Sequence, residues 1–95
     1  MEFQASGTII FLDKEKNMAN NFNMREFAIE IYDPNYPQKV LFQLVNQDID
    51  LIRHHQLGDE VKVTFKINGK EWTGANGTKY FNSLRAVKLE NPNAE

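Results

Sequence analysis

The 95-residue chain contains no cysteine, and this absence removes several kinds of chemistry. Without a thiol there is no disulfide, no thiolate nucleophile, and no zinc or iron–sulfur site held by cysteine. The two histidines, His54 and His55, are adjacent, so they lack the spacing of a ligand pair on one helix face. At the end of a helix they would instead suit its dipole. We therefore expect no metal and no cofactor.

Long hydrophobic runs and enzyme signatures are also absent. No apolar run approaches the roughly 18 residues of a membrane span, and residues 1–4 lack the basic and apolar regions of a signal peptide. We therefore expect a cytoplasmic protein with no membrane partner. The chain has no Gly-x-Ser-x-Gly elbow, phosphate-binding loop or His-Glu-x-x-His motif, and we expect no enzyme activity.

An excess of positive charge is missing too. The chain has 11 basic and 13 acidic residues, a net charge of −2. A nucleic-acid-binding domain is commonly strongly basic, so any phosphate contact would have to come from a local basic patch. The near-neutral balance favours a protein-interaction module as the alternative.

The residues that are present predict one small folded domain. Hydrophobic residues make up 41% of the chain and aromatic residues 12%, which argues against disorder. We expect a single domain over residues 1–90 and a short polar tail over residues 91–95.

Five runs of alternating apolar and polar residues predict β-strands. The runs are Phe3 to Leu12, Arg25 to Tyr32, Gln38 to Val45, Glu60 to Asn68 and Tyr80 to Leu89. In the fourth run the alternation places one set inside, namely Val61, Val63, Phe65 and Ile67. It places the other set outside, namely Lys62, Thr64 and Lys66.

The segments between and within these runs carry turn and helix signals. Gly7, inside the first run, predicts the bulge or bend that small barrels need to close. After the third run the period becomes helical for two to three turns, with Asn46 as the expected N-cap and Gly58 as the terminator. Asn68-Gly69 and Asn76-Gly77 are both expected to form tight turns.

The order of elements is therefore β-β-β-α-β-β. Five short strands cannot cover both faces of an open sheet, and closure into a barrel removes the exposed edges. One helix after the third strand can plug the open end of such a barrel. The sequence thus predicts an all-β, five-stranded OB-fold barrel with one short helix between strands 3 and 4. A ferredoxin-like fold would need a second helix.

Several segments resemble bacterial single-stranded-DNA-binding proteins of the OB type. Leu57 to Val63 resembles their entry to strand four, and a hairpin with Trp72 and Gly74 follows as it does there. Residues 26–30 resemble their second strand and residues 39–45 their third. Over residues 3–90 the chain resembles more closely still a bacterial family of short OB-like proteins with no assigned function. This resemblance implies the fold and leaves the function open.

Three aromatic residues are candidate stacking platforms for bases. Single strands are bound by a basic groove combined with aromatic side chains on which bases stack. Trp72 lies in the hairpin between Lys70 and Lys79, Tyr80 follows Lys79, and Phe22 lies in a loop. The alternative is that Trp72 packs over the barrel or against another subunit. Tyr80 could likewise pack instead of stacking, and Phe22 could simply cover the end of the barrel.

Six basic residues are candidate phosphate contacts. Lys62 and Lys66 are expected to face outward together on strand four, and other strands could extend this stripe if their register permits. The six are Lys39, Lys62, Lys66, Lys70, Lys79 and Arg85. The alternative is a solvated face whose lysines protect a strand edge from aggregation.

The leading hypothesis is a non-catalytic OB-fold protein that binds single-stranded DNA or RNA, assembled as a homo-oligomer because partial barrels leave strand edges that pair. The first alternative is a protein-interaction module that uses the groove or the strand edges for a protein partner. The second is an enzyme or small-molecule binder, for which the sequence shows no constellation.

Overall fold

The computed structural model describes residues 1–92, so residues 93–95 of the expected polar tail lie outside the described residues. Six strands and one short helix make up the fold. In chain order they are β1 (Phe3–Leu12), β2 (Lys16–Asn17), β3 (Asn23–Ile31), β4 (Gln38–Val45), a 3₁₀ helix (Asn46–His54), β5 (Glu60–Gly74) and β6 (Gly77–Glu90). Among residues 1–92 no helix is long and apolar enough to cross a membrane.

Five of the strands form a closed ring, in the order β1-β5-β6-β4-β3 and back to β1. β1 closes it by pairing with β5 through residues 3–8 and with β3 through residues 8–12. Gly7 lies at this change of partner, where a Cβ would collide with the backbone carbonyl of Glu30. The register of β1 against β3 then shifts between Ile9 and Phe11. The OB-fold barrel predicted from the sequence is confirmed, whereas the register irregularity of β1 lies between Ile9 and Phe11 and not at Gly7 itself.

The core lies inside this ring and is centred on stacked aromatic rings. Phe27 and Phe42 stack with their centroids 5.4 Å apart, and Phe65 meets Phe42 edge-on at 5.1 Å. Ile49 and Ile52 of the 3₁₀ helix are buried against the same cluster. The helix thus closes one end of the barrel by burying these two apolar side chains.

The predicted N-cap at Asn46 is wrong. The helix begins at Asn46, its N-cap position is Val45, and no side chain caps it. The Asn46 side chain instead accepts a hydrogen bond from the backbone N–H of Asn23, at 3.0 Å. The amide therefore ties the helix to the start of β3. Gly58 lies beyond the end of the helix, where its backbone N–H donates to Ile9 O at 2.9 Å.

The β5–β6 hairpin is longer than the sequence predicted. Asn68-Gly69 is not a turn, because both residues pair with β6 within the strand. The single turn is the two-residue loop Ala75–Asn76, followed by Gly77 with φ +113°, a conformation that favours glycine. Both strands consequently extend well past the barrel.

The predicted inside and outside positions of β5 fail at two residues. Ile67 is 54% exposed because it lies on the part of β5 that has left the barrel. Thr64 is buried, with its Oγ1 3.5 Å from Gln4 Nε2 of β1. Here the β5–β6 register shifts between Thr64 and Phe65, which leaves Val87 without an opposing residue.

Candidate nucleic-acid interface

The β5–β6 hairpin projects from the barrel as an arm. Beyond Phe65, β5 has no partner other than β6 in the described part of the chain, and before Arg85, β6 has none other than β5. The radius of gyration is 14.8 Å, above the roughly 12 Å of a compact chain of this length. The arm accounts for this elongation and exposes both of its faces.

Strand register divides the arm into two faces with different chemistry. Residues directly opposite each other in an antiparallel pair lie on the same face. The Trp72 face consists of the pairs Lys66–Arg85, Asn68–Ser83, Lys70–Phe81 and Trp72–Lys79. The Tyr80 face consists of the pairs Ile67–Leu84, Gly69–Asn82, Glu71–Tyr80 and Thr73–Thr78. The single acidic residue of the arm, Glu71, is therefore on the Tyr80 face.

The Trp72 face is the basic surface of the arm. Within residues 1–92, Lys66, Lys70 and Lys79 have no ion-pair partner. Arg85 differs, because its Nη2 lies 3.7 Å from Asp48 Oδ2 in the 3₁₀ helix and its Nε is buried without a hydrogen-bond partner. Three lysines are thus free to meet an anion, whereas Arg85 is partly neutralised by Asp48.

Two aromatic rings lie among these cations. Trp72 is 52% exposed and Phe81 is 56% exposed. They are diagonal neighbours across the two strands, a position in which residues are about 7–8 Å apart and aromatic side chains are within reach of each other. Lys79 lies opposite Trp72, and Lys70 lies opposite Phe81. Each aromatic residue therefore has a lysine directly opposite it on the neighbouring strand, an arrangement suited to a stacked base with its phosphate nearby.

The orientation of Trp72 depends on a glycine two residues further along β5. The six-membered ring of the indole occupies the space next to Gly74 where a Cβ would otherwise be. Since the facing residue across the arm is Gly77, no side chain of that pair competes for this space. The indole is therefore laid along the arm toward its tip.

A groove at the base of the arm continues the Trp72 face toward the barrel. β4 and β6 run parallel but are paired only at Gln43 and Arg85. The groove opens beside this point, between Gln43 of β4 and the arm residues Asn68, Lys70, Phe81 and Ser83 of the Trp72 face. Ile67, Gly69 and Asn82 of the Tyr80 face also line it. It joins the basic arm to the outer surface of β4.

Five of the nine residues predicted as binding candidates share the Trp72 face. The five are Lys66, Lys70, Trp72, Lys79 and Arg85. Tyr80 lies on the opposite face of the arm, where its hydroxyl donates to Glu71 Oε1 at 3.3 Å. Phe22 lies in the loop before β3, where its backbone O accepts from Met18 N.

The remaining two candidates lie on the barrel. Lys39 is opposite Glu30 in the β3–β4 pair. Lys62 is opposite Glu90 in the β5–β6 pair, at the end of β5 far from the arm. The structure therefore does not bring these two lysines onto the Trp72 face.

Phe81 is absent from the aromatic candidates chosen from the sequence. The signal for it was the Asn76-Gly77 pair, because a two-residue turn there fixes the register of the whole arm. Counting outward from that turn places Phe81 on the face of Trp72 and Tyr80 on the other.

Two carboxyl groups outside the arm have displaced pKa values. The backbone N–H groups of Tyr36 and Asn35 donate to Asp33 at 2.9 and 2.8 Å and lower the pKa of its carboxyl group. The pKa of Asp13 is lowered by the backbone N–H of Lys14 and by the ammonium group of Lys16. Within residues 1–92, no three His, Asp or Glu side chains cluster as metal ligands.

Comparison with known proteins gives one family and a set of similar folds. A family model described as a domain of unknown function (DUF3127) matches residues 4–90. No curated protein sequence matches the chain significantly. A crystal structure of the mitochondrial single-stranded DNA binding protein Rim1 from S. cerevisiae superposes with a TM-score of 0.76 and 15% identity, covering 97% of this chain and 94% of that one.

A second crystal structure of the same yeast protein, with selenomethionine, gives a TM-score of 0.73 at 15% identity, covering 95% of this chain and 92% of that one. At this level of identity the similarity concerns the fold. It extends over nearly the whole chain.

Proposed function

The chain belongs to the DUF3127 family, whose description assigns no activity, and we propose that it is a non-catalytic OB-fold protein that binds single-stranded nucleic acid on its Trp72 face. The observation that carries this proposal is the composition of that face. It presents three lysines without ion-pair partners among residues 1–92 and two half-exposed aromatic rings, and it carries no acidic residue.

This composition suits a single strand better than a duplex. Bases that stack on Trp72 and Phe81 must be unpaired and splayed, because the faces of a paired base are covered by its neighbours. Trp72 and Phe81 lie on the same face as diagonal neighbours across the arm, so two unpaired bases of one extended strand can each reach one of the rings. The lysine opposite each ring can then meet the connecting phosphates. The shared fold of a single-stranded DNA binding protein supports the same conclusion.

The test is the fluorescence anisotropy of a labelled oligo-dT strand titrated with the protein. Wild type should bind at low salt, and the affinity should fall roughly 20-fold between about 50 and 200 mM salt if the three free lysines each contact a phosphate. Trp72→Ala should weaken binding by about 5- to 150-fold, equivalent to the roughly 1–3 kcal/mol of one stacked base. No binding by wild type even at low salt would overturn the proposal.

We propose further that the protein is a cytoplasmic homo-oligomer. Residues 3–7 of β1 pair with β5 on one side only, and within residues 1–92 their other edge meets no strand. Such an edge can pair with a strand of a second copy. Sedimentation equilibrium of the full chain tests the assembly, and a monomer at micromolar concentration would contradict it.

A protein-interaction module is the second candidate, and the Tyr80 face favours it. Ile67 is 54% exposed and Tyr80 is 71% exposed, and both lie on the same face of the arm. An exposed apolar and aromatic pair is typical of protein interfaces. In the anisotropy experiment this candidate predicts no salt-sensitive binding of oligo-dT.

A further inference from the structure

The groove at the base of the arm contains polar side chains that the fold itself does not use. Gln43, Asn68 and Ser83 line it together with Asn82 of the Tyr80 face. The side chain of none of these four makes a hydrogen bond to any residue in the described range 1–92. Three amides and one hydroxyl therefore line one opening without making a hydrogen bond within residues 1–92.

A strand edge forms part of the same groove. β6 pairs with β5 along its length but meets β4 only at Arg85. The edge of β6 that turns toward β4 is therefore without a backbone partner from Gly77 to Leu84, as far as residues 1–92 are concerned. Backbone N–H and C=O groups along this edge add further donors and acceptors to the groove.

The chemistry of these groups fits the edge of a base better than a phosphate. A phosphate oxygen only accepts hydrogen bonds, so it would leave the amide oxygens of Gln43 and Asn68 unused. The edge of a base presents donors and acceptors side by side, and an amide can satisfy one of each. Ser83 can donate or accept.

The groove lies next to a stacking platform. Asn68 and Ser83 are one pair further down the arm than Lys70 and Phe81, a step of roughly 7 Å along the strands. Phe81 also lines the groove. A base that stacks on Phe81 therefore holds its neighbour within reach of the amides.

We propose that this groove reads one base of a bound single strand through Gln43 and Asn68, which gives the protein a sequence preference at one nucleotide. This inference rests on the proposed function. The arm supplies stacking and charge for any sequence, whereas the groove distinguishes bases by hydrogen bonding. DNA and RNA strands present the same base edges, and both are included in the test.

The experiment compares short labelled strands with the full-length protein. Eight-nucleotide dT strands carry dA, dC or dG at one interior position, and each position is scanned in turn, with the matching RNA series alongside. Wild type should favour one base at one position by about fivefold or more in Kd. Gln43→Met and Asn68→Leu remove the amides and keep a similar volume. Each should bring the ratio of Kd values between bases closer to one.

Gln56→Met is the matched control, since Gln56 is an exposed glutamine outside the groove. It should leave both affinity and preference unchanged. Equal Kd values for all bases at every position in wild type would overturn the inference while the proposed function stands. Loss of affinity for every strand alike in Gln43→Met would also overturn it. Failure of wild type to bind any strand would instead overturn the proposed function.

Discussion

The indole of Trp72 lies in the space that a Cβ on Gly74 would fill. Gly74 does not have the positive φ of Gly58 or Gly77, so its backbone accepts alanine. A Gly74→Ala substitution therefore acts through the ring alone. We expect the variant to fold, to shift the Trp72 fluorescence spectrum, and to bind oligo-dT less tightly than wild type but more tightly than Trp72→Ala. Emission spectra and anisotropy titrations measure both effects.

Gly69→Ala is the matched control for this prediction. A Cβ on Gly69 would meet only Asn82 Oδ1, at an ordinary 3.6 Å. Gly69 lies on the same strand, and on the face of the arm opposite Trp72. It should change neither the spectrum nor the affinity, and an equal loss of affinity in both variants would show that the arm backbone, not the ring, is responsible.

Adjacent aromatic residues on opposite faces allow a test of which face binds. Phe81→Ala should weaken oligo-dT binding by about 5- to 150-fold, because a stacked base is worth roughly 1–3 kcal/mol. Tyr80→Ala should change the Kd for oligo-dT by less than about twofold, because the Tyr80 ring lies on the face of Glu71. Anisotropy titrations of both variants decide between the faces. The reverse order of effects would transfer the interface to the Tyr80 face.

The same pair of residues illustrates what the sequence could predict. The alternation of β4 fixes its inside and outside positions, because Phe42 and Leu44 can only point inward. The face on which Tyr80 or Phe81 lies depends on register, and a slip of one residue exchanges them. The composition of the arm was visible in the sequence, but its two faces were not.

The two Asn-Gly dipeptides show a second limit of local signals. Asn76-Gly77 forms the turn, whereas Asn68-Gly69 is continuous strand paired with Ser83 and Asn82. Only one turn can be made if β5 is to remain paired with β6 over its full length. Pairing across the arm therefore decides which Asn-Gly dipeptide forms the turn, and the turn preference of a dipeptide carries no information about that pairing. Asn46 is similar, because its amide binds Asn23, which is distant in sequence.

Barrel closure depends on Gly7, and a methyl group there should be destabilising. A Cβ at this position would collide with the Glu30 carbonyl, which is backbone and cannot rotate away. Gly7→Ala should lower the free energy of unfolding by about 1–3 kcal/mol, the range for overpacking. Urea denaturation measures this change, with Gly69→Ala as the control that should stay close to wild type. Equal stability of both variants would mean that β1 closes the ring without this close approach.

Asp33 should make the loop between β3 and β4 sensitive to acid. Its folded pKa lies below the ordinary value of 3.8 because Tyr36 and Asn35 donate backbone N–H groups to the carboxylate. A lowered pKa contributes stability that is fully present above the unfolded pKa and is lost as the pH falls through the folded pKa. Asp33→Asn should therefore be less stable than wild type near neutral pH, and the difference should shrink below about pH 4.

Urea denaturation of both proteins across this range measures the difference. Asparagine keeps an oxygen acceptor and removes the charge, so the comparison isolates ionisation. A difference in the free energy of unfolding between the two proteins that stays constant from neutral to acid pH would show that the carboxylate charge does not stabilise the loop.

The lysines of the Trp72 face should set the salt dependence of binding. For a single strand, each phosphate contact contributes about 0.7 to the slope of log affinity against log salt concentration. Lys70→Gln and Lys79→Gln should each reduce the slope by about that amount, since both lysines lie beside an aromatic ring and have no ion-pair partner among residues 1–92. Lys39→Gln, opposite Glu30 on the barrel, is the control and should leave the slope unchanged. Oligo-dT titrations at four salt concentrations give the slopes. A reduction in Lys39→Gln equal to that in Lys70→Gln would place the path of the strand across the barrel rather than along the arm.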